Sequence, residues 1–194
     1  MIKKEKILAY VTIGIIATLL AGCGGGGGGG GGTAAAPSGL ISGVASKGPL
    51  NGSTVCAFAI TGGVKGAPLG TCATNTVAGN YSIDIGAYTG PVLFEATGGN
   101  YVDEATGLTV ALASPLRSML ANAVGGTASA AITPLTELAY LQANAVAGGL
   151  STAGIQTAVG NVQTNFGVAD IINTMPVDAF NIPVGATAAQ KTYA

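Results

Sequence analysis

Three patterns of apolar and polar positions follow one another along this chain of 194 residues. Residues 7–20 are almost entirely apolar. Between residues 39 and 113, short runs rich in β-branched residues alternate with turn residues, and after residue 133 apolar positions recur at helical spacing. This order predicts an α+β protein, in which an N-terminal antiparallel β-sandwich is followed by a small helical segment.

The β region is predicted from runs that recur about every dozen residues, the spacing typical of an all-β sandwich. Its clearest strand is Tyr81-Ser82-Ile83-Asp84-Ile85, where apolar and polar side chains alternate as in a half-buried strand. Residues that favour turns separate the runs, among them Asn51-Gly52, Gly79-Asn80 and Gly98-Gly99-Asn100. We expect strands at 40–46, 54–60, 69–74, 81–85, 92–97 and 108–113.

A hairpin and three helices are expected in residues 114–194. The hairpin would pair 115–122 with 127–133 around Gly125-Gly126. Thr133-Pro134 supplies an N-cap hydroxyl and a proline at the first helical position, and this helix should stop at Gly148-Gly149. A second helix should begin at Ser151 or Thr152 and end at Gly167. Its predicted core stripe consists of Ile155, Val159, Val162 and Phe166.

The third helix is predicted from Thr187-Ala188-Ala189-Gln190, which has the form of a capping box. Few residues follow the cap, whereas an isolated helix is marginal below about 12–15 residues. We therefore expect the chain to continue beyond Ala194 into a further module.

The N-terminal residues 1–22 have the features of a signal peptide, with lysines before an apolar run that is short for a bilayer-spanning helix. Leu20-Ala21-Gly22-Cys23 resembles the lipobox of bacterial lipoproteins. The resemblance implies cleavage after Gly22 and acylation of Cys23, which would anchor the chain in a membrane. Gly24 after the cysteine is similar to the outer-membrane sorting pattern of Gram-negative lipoproteins. The alternatives are an ordinary signal peptide and an uncleaved anchor.

Residues 23–38 are predicted to be a flexible tether, because Gly24 to Gly32 are nine consecutive glycines. A Gly-rich coil of that length has an r.m.s. span of roughly 15–18 Å. A phosphate-binding loop would need its glycines between a strand and a helix, usually with a Lys-Ser/Thr pair, and this tract has neither.

Composition excludes several classes of function. From Cys23 onward the chain has 4 Lys or Arg and 7 Asp or Glu, a net charge of −3, and lacks a basic patch for nucleic acid. The chain contains no His and no Trp, so the commonest general base and metal ligand are missing. We expect no catalytic residues, no metal and no cofactor.

A second resemblance covers about residues 39–113. Lys47-Gly48-Pro49-Leu50-Asn51-Gly52-Ser53-Thr54-Val55 and Asn75-Thr76-Val77-Ala78-Gly79-Asn80-Tyr81-Ser82-Ile83 are similar to motifs of the transthyretin-like or carboxypeptidase-regulatory-like β-sandwich family. Ser53 stands where that family usually has Ala, and Asn75 where it usually has Asp. The resemblance implies an accessory module without the metal ligands of a zinc carboxypeptidase.

Cys56 and Cys72 flank a predicted hairpin centred near Val64. If the two cysteines lie opposite each other, Phe58 should face Gly70 and Ile60 should face Pro68. An oxidising envelope compartment would then permit a cross-strand disulfide. The alternative is a pair of buried free thiols.

Asp103-Glu104 is the only adjacent pair of carboxylates after residue 23. Calcium prefers several carboxylate and carbonyl ligands, and a solvated turn explains the pair equally well. We therefore expect no metal at this turn.

These observations predict a membrane-anchored envelope lipoprotein with a structural, adhesive or ligand-binding role and no catalytic site of its own. Its partners would be the membrane, through acyl chains on Cys23, and a protein or glycan ligand. The alternative is an anchored secreted hydrolase whose catalytic module lies downstream, because no Gly-x-Ser-x-Gly elbow is present.

Overall fold

The structure is a computed structural model, and it describes residues 39–193. The predicted signal peptide at 1–22, the lipobox Leu20-Ala21-Gly22, the acylation site Cys23 and the tether at 23–38 lie outside the described residues. Within 39–193 the chain forms strands first and helices afterwards. The strands are β1 (Leu40–Val44), β2 (Thr54–Thr61), β3 (Val64–Thr74), β4 (Asn80–Asp84), β5 (Gly90–Thr97), β6 (Asn100–Val102), β7 (Thr109–Ala111), β8 (Leu116–Ala123) and β9 (Ala128–Ser129). The helices are α1 (Pro134–Ala145), α2 (Thr152–Phe166) and α3 (Ala188–Tyr193).

The strands form three sheets in the described part of the chain. A four-stranded sheet has the order β3-β2-β5-β8, a three-stranded sheet the order β4-β1-β9, and β6 pairs with β7. The pairs are antiparallel except β1 and β9, which run parallel. All six strands predicted between residues 39 and 113 are present, although β3 begins five residues earlier than expected, at Val64.

The hairpin predicted around Gly125-Gly126 is wrong. Strand β8 pairs with β5, and β9 pairs with β1 of the other sheet. β8 buries Leu116 and Ser118 together with Met119, whose side chain lies on the opposite face of the strand. A strand with buried side chains on both faces must belong to a larger sheet that has a packed layer on each side. An isolated two-stranded hairpin does not provide this.

One core cluster is shared by the three-stranded and four-stranded sheets. Ile41 and Ile83 of β1 and β4 pack in the same buried cluster as Val55, Val92 and Phe94 of β2 and β5. All five side chains are at most 2 % exposed. The alternation predicted for Tyr81 to Ile85 is therefore confirmed, since Tyr81, Ile83 and Ile85 are buried while the residues between them are exposed.

A second core cluster lies between the four-stranded sheet and the helices. Leu93 and Met119 of the sheet pack there with Ala139 of α1 and Ile155 and Val162 of α2. The predicted core stripe of α2 is thus largely confirmed, with Val159 partly buried against the cluster. Phe166 is 54 % exposed, so its prediction as a core residue is wrong. It occupies the last turn of α2, beyond the cluster, and the buried stripe of this helix consists of Ile155, Ala158 and Val162.

The predicted helix starts and the predicted end of α2 are confirmed, but the predicted end of α1 at Gly148-Gly149 is wrong. Helix α1 already ends at Ala145, because the backbone of Val146 is extended. The Thr133 hydroxyl accepts a hydrogen bond from the Thr136 backbone N–H, and the Ser151 hydroxyl accepts one from the Gly154 N–H. Helix α2 ends at Gly167, whose φ of 68° is in the left-handed region that glycine adopts most easily. The Thr187 and Gln190 capping box is also present.

The described chain is therefore mostly β, with a small helical part at its C-terminal side, as the α+β prediction requires. No helix within residues 39–193 is long and apolar enough to cross a membrane.

Candidate functional site

A cleft of about 990 Å³ opens beside the loops at one end of the sheets. One wall comes from the segments around β1, β4 and β6, and the other from the loop at 176–183. Three of the lining residues, Asn51, Asn80 and Asn100, belong to turns that the sequence predicted. The turns were recognised by their backbone preference, whereas only the folded chain reveals that these three asparagines line the same cleft.

The first wall is held by backbone pairing between Asn51 and Asn100. The Asn51 N–H donates to the Asn100 carbonyl at 2.8 Å, and the Asn100 N–H donates to the Asn51 carbonyl at 3.0 Å. Next to this bridge, the buried Asn75 side chain accepts a hydrogen bond from the Ser53 N–H at 2.7 Å. Ser53 and Asn75 are the two positions at which the chain departs from the resembled family motif, and here they contact each other.

The opposite wall is a loop that turns around Asp178. The Asp178 carboxylate accepts a hydrogen bond from the Phe180 N–H at 2.9 Å, and its backbone carbonyl accepts one from the Asn181 N–H at 3.1 Å. The turn leaves the Phe180 side chain 68 % exposed. An aromatic ring and an amide are thereby presented next to each other on this loop.

A smaller cleft of about 410 Å³ adjoins the first and shares Tyr101 and Glu104 with it. The Lys47 ammonium lies 5.1 Å from the centre of the Tyr101 ring, within the range of a cation–π contact. Asp103 and Glu104 also line this smaller cleft. It therefore carries both signs of charge, unlike the larger cleft.

Asp103 organises the turn between β6 and β7. Its carboxylate accepts hydrogen bonds from the Thr106 backbone N–H at 2.9 Å and from the Thr106 hydroxyl at 2.8 Å. These hydrogen bonds, which stabilise the ionised form, lower the pKa of Asp103. Among residues 39–193, no group of three or more Cys, Asp or Glu side chains is arranged to hold a metal ion.

Tyr193 of α3 closes the far side of the smaller cleft. Its hydroxyl lies 2.6 Å from the Thr133 hydroxyl and donates to the Ile171 carbonyl at 2.9 Å. Burial raises the pKa of Tyr193 above its ordinary value of 10.0, which favours the protonated phenol that donates this hydrogen bond. Sequence reasoning missed this contact, because nothing in the local pattern connects Tyr193 with a helix N-cap 60 residues earlier.

The predicted disulfide between Cys56 and Cys72 is confirmed, with a Cα–Cα distance of 4.3 Å. The predicted register beyond it is wrong, since Phe58 pairs with Pro68 and Ile60 with Lys65. Irregularities in β3 shift the pairing twice, and Gly70 occupies one of them with a φ of 65°. Such bulges place extra residues on one strand, so cysteines can face each other although the turn lies at Gly62-Gly63.

The larger cleft combines amide side chains with exposed apolar side chains, an arrangement suited to binding rather than to proton transfer. Its two carboxylates, Glu104 and Asp178, are contributed by different walls, and Asp178 already holds its own loop. Most small-molecule sites are similarly concave, with mainly apolar lining and a few oriented polar groups. Comparison with known protein families, curated proteins and solved structures found no match to this chain.

Proposed function

We propose that this protein is a lipid-anchored lipoprotein of the bacterial cell envelope, and that its β-rich domain binds a ligand at a distance from the membrane. The proposal combines the lipobox-like Leu20-Ala21-Gly22-Cys23 with the nine glycines that follow it. Acyl chains on Cys23 would anchor the protein in the membrane, and the glycines would form a flexible tether between the anchor and the domain. The glycine after Cys23 favours the outer membrane of a Gram-negative cell.

The observation that carries the proposal is the disulfide between Cys56 and Cys72. Disulfides persist in oxidising compartments such as the periplasm and the cell surface, whereas cytosolic thiols are kept reduced. Cys72 is exposed, so a reducing environment would have access to this bond. An exported protein accounts for both the disulfide and the signal-like N-terminus.

A binding role is supported by the clefts at the loop end of the sheets. The domain itself is proposed to be a transthyretin-like β-sandwich, because Ile41 and Phe94, from two different sheets, share one core cluster. In such a domain the sheets provide a rigid support, and the loops are free to form the binding surface.

The test is metabolic labelling with an alkyne fatty acid, followed by fractionation of the cells. Wild type should be labelled and found with the membranes, and Cys23→Ala should lose the label and the membrane association. The Cys56→Ala/Cys72→Ala double variant is the matched control, because it removes two cysteines and leaves the lipobox intact. A Cys23→Ala protein that remains labelled and membrane-bound would refute the anchoring proposal.

A further inference from the structure

We propose that the larger cleft binds an uncharged oligosaccharide, with the amides of Asn51 and Asn100 as its hydrogen-bonding centre and the ring of Phe180 as its stacking surface. This inference rests on the proposed binding role, which it makes specific by naming a class of ligand.

The first argument is the placement of the two amides. Asn51 and Asn100 exchange backbone hydrogen bonds in both directions, which defines a hydrogen-bonded antiparallel pair. In such a pair the side chains lie on the same side of the strands, and the Cα atoms are about 5.5 Å apart. The hydrogen bonds found for these residues involve their backbones, so both exposed amides are available to a ligand.

Amides suit hydroxyl ligands for a chemical reason. Each Asn amide offers two donors and a carbonyl acceptor, and each sugar hydroxyl is both a donor and an acceptor. Asn80, at the start of β4, and Asn181, on the opposite loop, add two more exposed amides to the cleft. A ligand between the walls therefore meets amides on both sides.

The apolar surfaces of the cleft fit the less polar faces of sugar rings. Phe180 is 68 % exposed and Val77 is 75 % exposed, and both line the cleft. Exposed apolar groups gathered at one site often mark a binding surface. The cleft volume of about 990 Å³ is at the upper end of the range for ligand pockets, which leaves room for more than one sugar ring.

Charge and backbone pairing argue against other ligands. Among the lining residues of the larger cleft, the charged side chains are Glu104 and Asp178, so the lining disfavours an anionic ligand. A peptide that adds to a sheet edge needs unpaired backbone groups. Here the backbones of Asn51 and Asn100 bond to each other, and the Asn80 carbonyl accepts a hydrogen bond from the Thr76 N–H.

The experiment is calorimetric titration of the full chain, purified in detergent, with three uncharged tetrasaccharides: cellotetraose, maltotetraose and fully N-acetylated chitotetraose. A set of uncharged octapeptides serves as the competing class of ligand. We expect saturable binding of at least one tetrasaccharide and none of the peptides. Asn51→Asp, a nearly isosteric change that removes two donors, and Phe180→Ala should each weaken that binding roughly tenfold, the size expected for losing one or two ligand contacts.

Asn161→Ala is the matched control, because Asn161 is an exposed asparagine on α2, outside the cleft lining. It should bind like wild type, and all variants should keep the wild-type midpoint of thermal unfolding. The proposal is overturned if no tetrasaccharide binds, if the peptides bind instead, or if Asn51→Asp and Phe180→Ala bind as tightly as Asn161→Ala. Fatty-acid labelling of Cys23 is measured separately, so either proposal can fail without the other.

Discussion

The two faces of the four-stranded sheet are built differently. Its inner face, which packs against the three-stranded sheet, contributes Val55, Val92 and Phe94, each fully buried. Its outer face, toward the helices, buries Leu93 and Met119, at positions that alternate with those of the inner face. The outer face also carries charged residues. The inner face therefore depends on apolar burial, whereas the outer face combines burial with specific polar and covalent links.

The outer face carries a row of neighbouring positions across all four strands. Cys72 forms a disulfide with Cys56, Cys56 lies opposite Glu95 in the strand ladder, and Glu95 lies opposite Arg117. Lys65 forms an ion pair with Glu95 at 2.9 Å. The row reaches helix α1 through Arg117, which contacts Glu137 at 2.9 and 3.2 Å through two of its nitrogens. A step of one residue along each strand thus separates the apolar inner face from an outer face that carries the disulfide and the ion pairs.

The largest effect should come from the inner face. Phe94→Ala removes a fully buried ring from the cluster shared by two sheets and should lower the free energy of unfolding by about 3–5 kcal/mol. Phe166→Ala is the control, because that ring is 54 % exposed and its loss should change the free energy by no more than about 0.5 kcal/mol. Urea unfolding of the two variants measures the difference. Equal losses would show that the buried ring of Phe94 contributes no more to stability than an exposed ring.

The disulfide should have the next largest effect. Removing a bond that joins residues 16 positions apart should cost about 3 kcal/mol, according to the chain-entropy account of crosslinks. Cys56→Ala/Cys72→Ala and wild type treated with a reductant should both show this loss in urea unfolding. If the variant is as stable as oxidised wild type, the disulfide between β2 and β3 contributes little to the free energy of unfolding.

The ion pair should have a smaller effect that depends on pH. Arg117→Met leaves the half-buried Glu137 without its partner and should cost about 1–3 kcal/mol at pH 7.5, less than for a fully buried pair. The double variant Arg117→Met/Glu137→Met should recover most of this loss, since no unpaired carboxylate remains. Urea unfolding of wild type and both variants measures these differences. A double variant as unstable as Arg117→Met would refute the role of the unpaired charge.

The pH dependence follows from the direction of the pKa shift. Burial raises the pKa of Glu137 above its ordinary value of 4.5, and the Arg117 guanidinium opposes that shift. Without Arg117 the folded pKa should rise further. A carboxyl with a raised folded pKa favours folding below its unfolded pKa and loses that contribution as pH rises through its folded pKa. The deficit of Arg117→Met should therefore be smaller at pH 4 than at pH 7.5.

Local features of the fold could be predicted from the sequence because they depend on neighbouring residues. The capping hydroxyls of Thr133 and Ser151 and the terminal Gly167 act within a few residues, so they fix where helices begin and end. The alternation at Tyr81 to Ile85 identified a half-buried strand for the same reason. The disulfide was predictable as a pairing of two cysteines around one hairpin.

The pairing of distant segments was decided only by the tertiary structure. Strand register depends on bulges such as the one at Gly70, and bulges leave little trace in the alternation of residues. β9 pairs with β1, far away in the chain, rather than with its neighbour β8, because the four-stranded sheet needs β8 to cover its core. Likewise, the sequence identified Asn51, Asn80 and Asn100 as turn residues. These three residues line one cleft only because the sheets assemble. That assembly is driven by the burial of apolar area contributed by the whole chain.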